Sequence, residues 1–106
     1  MKEHELRRLA HNCAEAGRDY LIRTQGTVPR VSLEKLHLGH VSLCILALQF
    51  GSYGKGKRVL GLQSNEQAAA YGFWWHPDVQ TKDVRQYYVF LTEAWIRVNS
   101  NLHELA

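Results

Sequence analysis

Residues 32–50 read SLEKLHLGHVSLCILALQF, the most apolar run in the chain. Ser32 offers the side-chain oxygen of an N-cap, and Glu34 falls in the first turn, where the helix dipole favours a negative charge. At 100° per residue, Leu33, His37, His40, Val41, Cys44 and Leu48 share one face, flanked by Leu36, Leu43 and Ala47. Lys35, Ser42 and Gln49 form a narrow polar strip. A helix apolar around most of its circumference is buried against several neighbours. A strand over 41–50 fits less well, because the run is leucine-rich and does not alternate. The stretch predicts a buried central helix over residues 32–50.

On the N-terminal side, Leu6, Leu9, Ala10, Cys13, Ala16, Gly17, Tyr20 and Leu21 recur at spacings of three and four, which predicts a helix over 3–24. Gly17 lies on that stripe. A glycine costs a helix about 1 kcal/mol relative to alanine, and close approach of another segment is the ordinary compensation. Gly26 is a stop signal, and Pro29 keeps the connection extended.

On the C-terminal side, 51–61 reads GSYGKGKRVLG, a glycine-rich segment with the bearing of a flexible loop that carries Lys55, Lys57 and Arg58. Ser64 and Gln67 have capping-box spacing and start a third helix. That helix runs into Tyr71-Gly72-Phe73-Trp74-Trp75-His76 and stops before Pro77. Asp78 or Thr81 caps a last helix to about Val98. Its stripe of Val84, Tyr87, Tyr88, Leu91, Trp95 and Val98 is the cleanest periodicity in the chain. Asn99–Asn101 is expected to break it, leaving a short tail with one further turn. The expectation is an all-α bundle of about four helices around the 32–50 helix, a single helical domain over 1–106.

Composition narrows the function classes. The chain has 106 residues, 45% hydrophobic and 22% charged, with net charge +3. That is globular usage, and the charge is compatible with an acidic partner without demanding one. No apolar run reaches the roughly 20 residues of a membrane span, so no membrane partner is expected. The N-terminal MKEHELRRLAHN is charged and amphipathic, unlike a secretory leader. Cys13 and Cys44 fall inside predicted helices, as buried thiols of a reducing compartment do, and a cytoplasmic location follows.

Three groups of residues bear on chemistry. His37, His40 and Cys44 share a helix face and are ligand types that zinc accepts, but their neighbours Leu33, Val41 and Leu48 favour plain burial, so no cofactor is assigned. Gly51, Gly56 and Lys57 match G-x-x-x-x-G-K, yet Arg58 stands where a P-loop needs serine or threonine, and no strand precedes the segment. What survives is a basic segment whose Lys55, Lys57 and Arg58, with glycine-freed amides, suit a phosphate backbone or an acidic protein surface. Tyr71, Phe73, Trp74, Trp75 and His76 form the third group. Consecutive residues of a helix lie 100° apart, so these aromatics cannot all point inward, and tryptophan and tyrosine are common anchors of binding surfaces.

No nucleophile is paired with a base at a recognisable spacing, which argues against an enzyme. The sequence points to a small non-catalytic interaction protein: an accessory subunit, adaptor or inhibitor of a protein or nucleoprotein complex. Its contacts would be the basic segment and the aromatic helix end; a homodimer through the tryptophan surface is compatible with the same face. Direct DNA or RNA binding is the alternative, and a small metal- or histidine-dependent enzyme using His37, His40 or His76 is the second alternative.

Overall fold

The last long helix packs on the first. The computed structural model describes residues 1–26, 36, 38–39 and 44–105, with side chains through Asn99. Among them are five α-helices: α1 (Glu3–Gln25), α2 (Ile45–Phe50), α3 (Tyr53–Val59), α4 (Asn65–Ala70) and α5 (Val84–Leu105), the last preceded by a 3-10 turn at Thr81–Asp83. The architecture is a compact all-α bundle, with a Cα radius of gyration of 12.7 Å.

The α1 stripe behaves as its spacing predicts. Leu6, Ala10, Cys13, Ala14, Gly17 and Leu21 are buried, and the helix ends at Gly26, whose φ of 74° lets its amide bond back to the Ile22 carbonyl. On α5, Tyr87, Phe90, Leu91, Ala94, Trp95 and Val98 are buried. The two stripes form the main helix pair of the bundle. Contacts advance in step along the pair, with Arg7 over the Phe90 ring at 4.0 Å and His11 against Arg97 at 3.2 Å. The helices therefore run parallel, and the chain between them must travel back to its starting end.

The return path is wedged into the pair. A Cβ on Gly17 would lie 1.9 Å from the Tyr71 carbonyl oxygen and 2.6 Å from the Trp95 ring. The missing side chain that the sequence suggests for close packing thus admits the Trp95 ring of α5 and, closer still, the returning backbone at Tyr71. At the next residue, Gly72 has φ 71° and sits against the Cys13 backbone. Its carbonyl accepts a 2.7 Å hydrogen bond from the buried Trp95 indole N–H.

Three expectations are corrected. A continuous central helix over 32–50 is not formed: Leu38–Gly39 is a turn with Gly39 at φ 92°, Cys44 is extended, and only Ile45–Phe50 is helical. The Ser32 cap and its first turns lie outside the described residues. The physical reason is α5. The Leu38 amide donates to Thr92 Oγ1 at 2.9 Å, and Gly39 packs so close to Tyr88 that a Cβ would meet its ring at 2.9 Å. The central element is α1 instead. The 51–61 segment is not an open loop, because Ser52 caps α3 by accepting the Lys55 amide at 3.0 Å. Gly56 lets α3 lie on α2, since a Cβ there would meet Leu46 at 2.8 Å. Finally, Asn99–Asn101 does not break α5, which continues to Leu105 with Asn99 buried on the same stripe.

Three substitutions are informative, two at the wedge and one on α3. Gly17→Ala is expected to cost at least about 3 kcal/mol in urea unfolding, because backbone must move. Gly54→Ala, in a helix with its nearest neighbour atom at 3.9 Å, is expected to stabilise by about 0.5 kcal/mol. Trp95→Phe should lose about 2–4 kcal/mol through the orphaned Gly72 carbonyl and the lost ring volume.

Candidate partner-binding face around α3

The basic segment and the aromatic segment, separated in sequence, meet at one point. The Tyr53 ring of α3 stacks on Trp74, with centroids 5.3 Å apart and planes inclined by 28°. Lys57 Nζ lies 5.3 Å from the centroid of the same Tyr53 ring. Asn65, the first residue of α4, ties the group together: its Oδ1 accepts from the Tyr53 hydroxyl at 2.9 Å and from Lys57 Nζ at 3.1 Å. Lys55 and Arg58 are exposed, and neither has an ion-pair partner among the described residues. Residues 51–70 carry three cations against the single carboxylate Glu66.

The α4 cap explains why Asn65 stands where it does. Ser64 Oγ accepts the Gln67 amide at 3.1 Å, and the Gln67 side chain reaches back to the Gln63 amide. That is the capping-box idea displaced by one residue at its return arm. Beyond Ala70 the helix stops, six residues short of the expected end at His76, because Gly72 turns left-handed and the Phe73 amide closes on the Ala68 carbonyl.

The turn divides the aromatic residues among different tasks. Tyr71 stacks on Tyr20 of α1 at 4.2 Å, and Tyr20 donates its hydroxyl to the Leu60 carbonyl at 2.6 Å. Phe73 is buried and stacks on Trp95 at 5.6 Å. Trp74 is half-buried and faces α3. Trp75 is half-buried, and its amide donates to the Tyr88 hydroxyl at 3.2 Å. His76 accepts the Asp78 amide on Nδ1 at 3.1 Å, a local turn bond. Of the five aromatic-segment residues, Trp74 is the one the structure joins to the cations.

From Lys55 onward the backbone amides of the basic segment are taken up by the Ser52 cap and by helical bonds. Gly56 donates to the Ser52 carbonyl at 3.0 Å and Leu60 to the Gly56 carbonyl at 3.0 Å, both within helical geometry. The Gly56 amide of the expected glycine-freed cradle is thus used within α3 itself. Tyr53 and Asn65 carry the junction, and sequence reasoning missed both. The available signal was Tyr53 beside Ser52, an aromatic just after a cap residue.

His37 and His40 of the metal reading lie outside the described residues. Cys44 is buried, and burial pushes its thiol above the ordinary range. Cys13 is displaced in the same direction for the same reason, and Tyr87 beside it is raised by burial first and then by that thiol. Burial also raises Tyr53, and pushes Tyr88 up to about 12 despite the Trp75 amide on its oxygen. These groups stay neutral and uncharged near pH 7, as structural groups do. Among the described residues, no three His, Cys, Asp or Glu side chains gather in metal-binding proximity. Among the same residues, no helix is long and apolar enough to cross a membrane. No protein-family model, curated protein or solved structure matches the chain.

Two solution tests follow from this burial. Cys13 and Cys44 are unpaired and should react with a thiol reagent at least about a hundredfold more slowly than in the denatured chain. Because folding raises the Tyr88, Tyr53 and Tyr87 phenols, their stabilisation is complete below the ordinary tyrosine value of 10.0 and is lost as pH rises through about 12 for Tyr88. Urea unfolding at about pH 8 and about pH 11 should therefore show a less stable protein at the higher pH, with late phenolate absorbance.

Proposed function

We propose that this protein is a small non-catalytic interaction module that docks an acidic partner through α3 and the Trp74 side of the α4 turn. The observation that carries this is the Tyr53–Trp74 stack with Lys57 on the Tyr53 ring. The Tyr53 ring is already engaged by the Trp74 indole and the Lys57 ammonium group, which disfavours it as a stacking platform for a nucleobase. The aromatic pair anchors a short helix, and that helix presents Lys55, Lys57 and Arg58. Fixed cations on a rigid platform give orientation and association rate to an acidic protein surface. This favours a protein or nucleoprotein complex over direct reading of single-stranded nucleic acid, which uses open aromatic faces. An accessory subunit, adaptor or inhibitor works in this way. The unpaired buried thiols fit a reducing cytoplasm.

The test compares wild type with a Lys55→Glu/Lys57→Glu/Arg58→Glu variant as immobilised baits, with and without nuclease, across a salt series. A nuclease-resistant partner should bind wild type, weaken with salt, and lose at least about tenfold in affinity for the reversed variant. Trp74→Ala should weaken the same partner by loosening α3. Equal capture by wild type and the reversed variant would remove this proposal. Binding of a purified DNA or RNA oligonucleotide with a steep salt slope would move the assignment to direct nucleic-acid recognition.

A further inference from the structure

Of the three cations on α3, Lys57 is already engaged. Its ammonium group donates to Asn65 Oδ1 at 3.1 Å and lies against the Tyr53 ring. At about 100° per residue, α3 turns Tyr53 and Lys57 toward Trp74 and α4, and Gly56 toward α2. Lys55, Arg58 and Val59 share the remaining side, where Val59 lies about 40° from Lys55 and about 100° from Arg58. Val59 is 50% exposed, more than any other large hydrophobic among the described residues. Single exposed aliphatics are common on protein surfaces. Val59 differs in its setting, beside two exposed cations that have no ion-pair partner among the described residues.

A fourth cation reaches the same end of α3 from another element. Tyr20 of α1 donates its hydroxyl at 2.6 Å to the carbonyl of Leu60, the residue after Val59. The Arg23 guanidinium sits 5.5 Å from the centroid of that Tyr20 ring. Through this one ring Arg23 stands roughly one Debye length, about 10 Å, from the end of α3. Arg23 is exposed, and the acid one turn before it, Asp19, is taken by Arg18 at 3.0 Å.

Cations around an exposed aliphatic side chain discriminate among acidic partners. A phosphate backbone meets the cations but brings little apolar surface to cover Val59. Carboxylates flanking an apolar side chain meet both, with charges at the rim and a water-excluding contact at the centre. We propose that the partner of the α3 face is an acidic protein segment whose apolar side chain packs on Val59 while its flanking carboxylates meet Lys55, Arg58 and Arg23. This centre and its fourth cation rest on the α3 docking face proposed above.

The test titrates the isotope-labelled full chain, followed by amide NMR shifts, with a synthetic peptide of one leucine flanked on each side by two glutamates. A second peptide carries serine in place of the leucine. The leucine peptide is expected to shift the amides of residues 55–59 and Arg23, and to bind at least about threefold more tightly than the serine peptide. Val59→Ser should abolish that preference, with Val59→Ala in its place should serine disturb the melting; non-additive losses in the cycle mark a direct contact. Arg23→Glu should weaken both peptides at least about threefold more than Arg8→Glu, the same charge change about 22 Å away along α1. Equal affinity for the two peptides, lost for both on Lys55→Glu/Lys57→Glu/Arg58→Glu, would overturn the Val59 contact and leave the α3 face standing. No shift at 55–59 with either peptide would overturn both. Equal effects of Arg23→Glu and Arg8→Glu would overturn the fourth cation. Tighter binding of a duplex DNA oligonucleotide or of phosphatidylserine vesicles than of the leucine peptide would overturn the acidic protein segment in favour of a phosphate ligand.

Discussion

The hydrogen bond from the Trp95 indole to the Gly72 carbonyl is the constraint on which the rest of the structure depends. Two parallel helices cannot be joined by a short connection, so the chain must cross back over their seam. At the crossing, backbone polar groups are carried into an apolar interior, where an unpaired carbonyl costs about 1–3 kcal/mol. Trp95 supplies the donor, and Gly17 on the opposing helix supplies the space. The left-handed Gly72 turns the chain sharply enough to pass. The three residues come from three separate parts of the sequence, and each matters only in the presence of the others.

From this crossing the positions of the surface aromatics follow. With Tyr71 held on Tyr20 and Phe73 on Trp95, Trp74 is directed outward to α3. The basic helix is only seven residues long and too short to be stable alone. It is held by Gly56 against Leu46, by Trp74 against Tyr53, and by Asn65 accepting from both Tyr53 and Lys57. The cations are thereby fixed with respect to the core rather than carried on an open loop.

Much of the frame was legible beforehand, for reasons that particular residues show. The α1 and α5 stripes repeat over several turns, and a long repeat reports a buried face whatever lies opposite. Gly26 and Ser64 mark helix ends because their local chemistry acts within three or four residues. The 32–50 run misleads because an apolar stretch signals burial and not helix, and Gly39 inside it takes a left-handed turn. In 51–61 the glycines outweighed the Ser52 cap and the α2 surface against which a glycine-bearing helix can pack.

By itself, then, the sequence determined the helical class, the buried faces of the two long helices, the burial of both thiols and the location of its positive charges. These depend on spacing and composition within one element. Only the tertiary structure decided that α1 rather than 32–50 is central, that the helices run parallel, that Trp74 meets Tyr53, and that Gly39 packs against Tyr88. Each of these is a contact between residues distant in sequence. Periodicity describes the face an element turns inward, while the partner that face meets is chosen by whichever crossing leaves the buried Gly72 carbonyl satisfied and Gly17 filled.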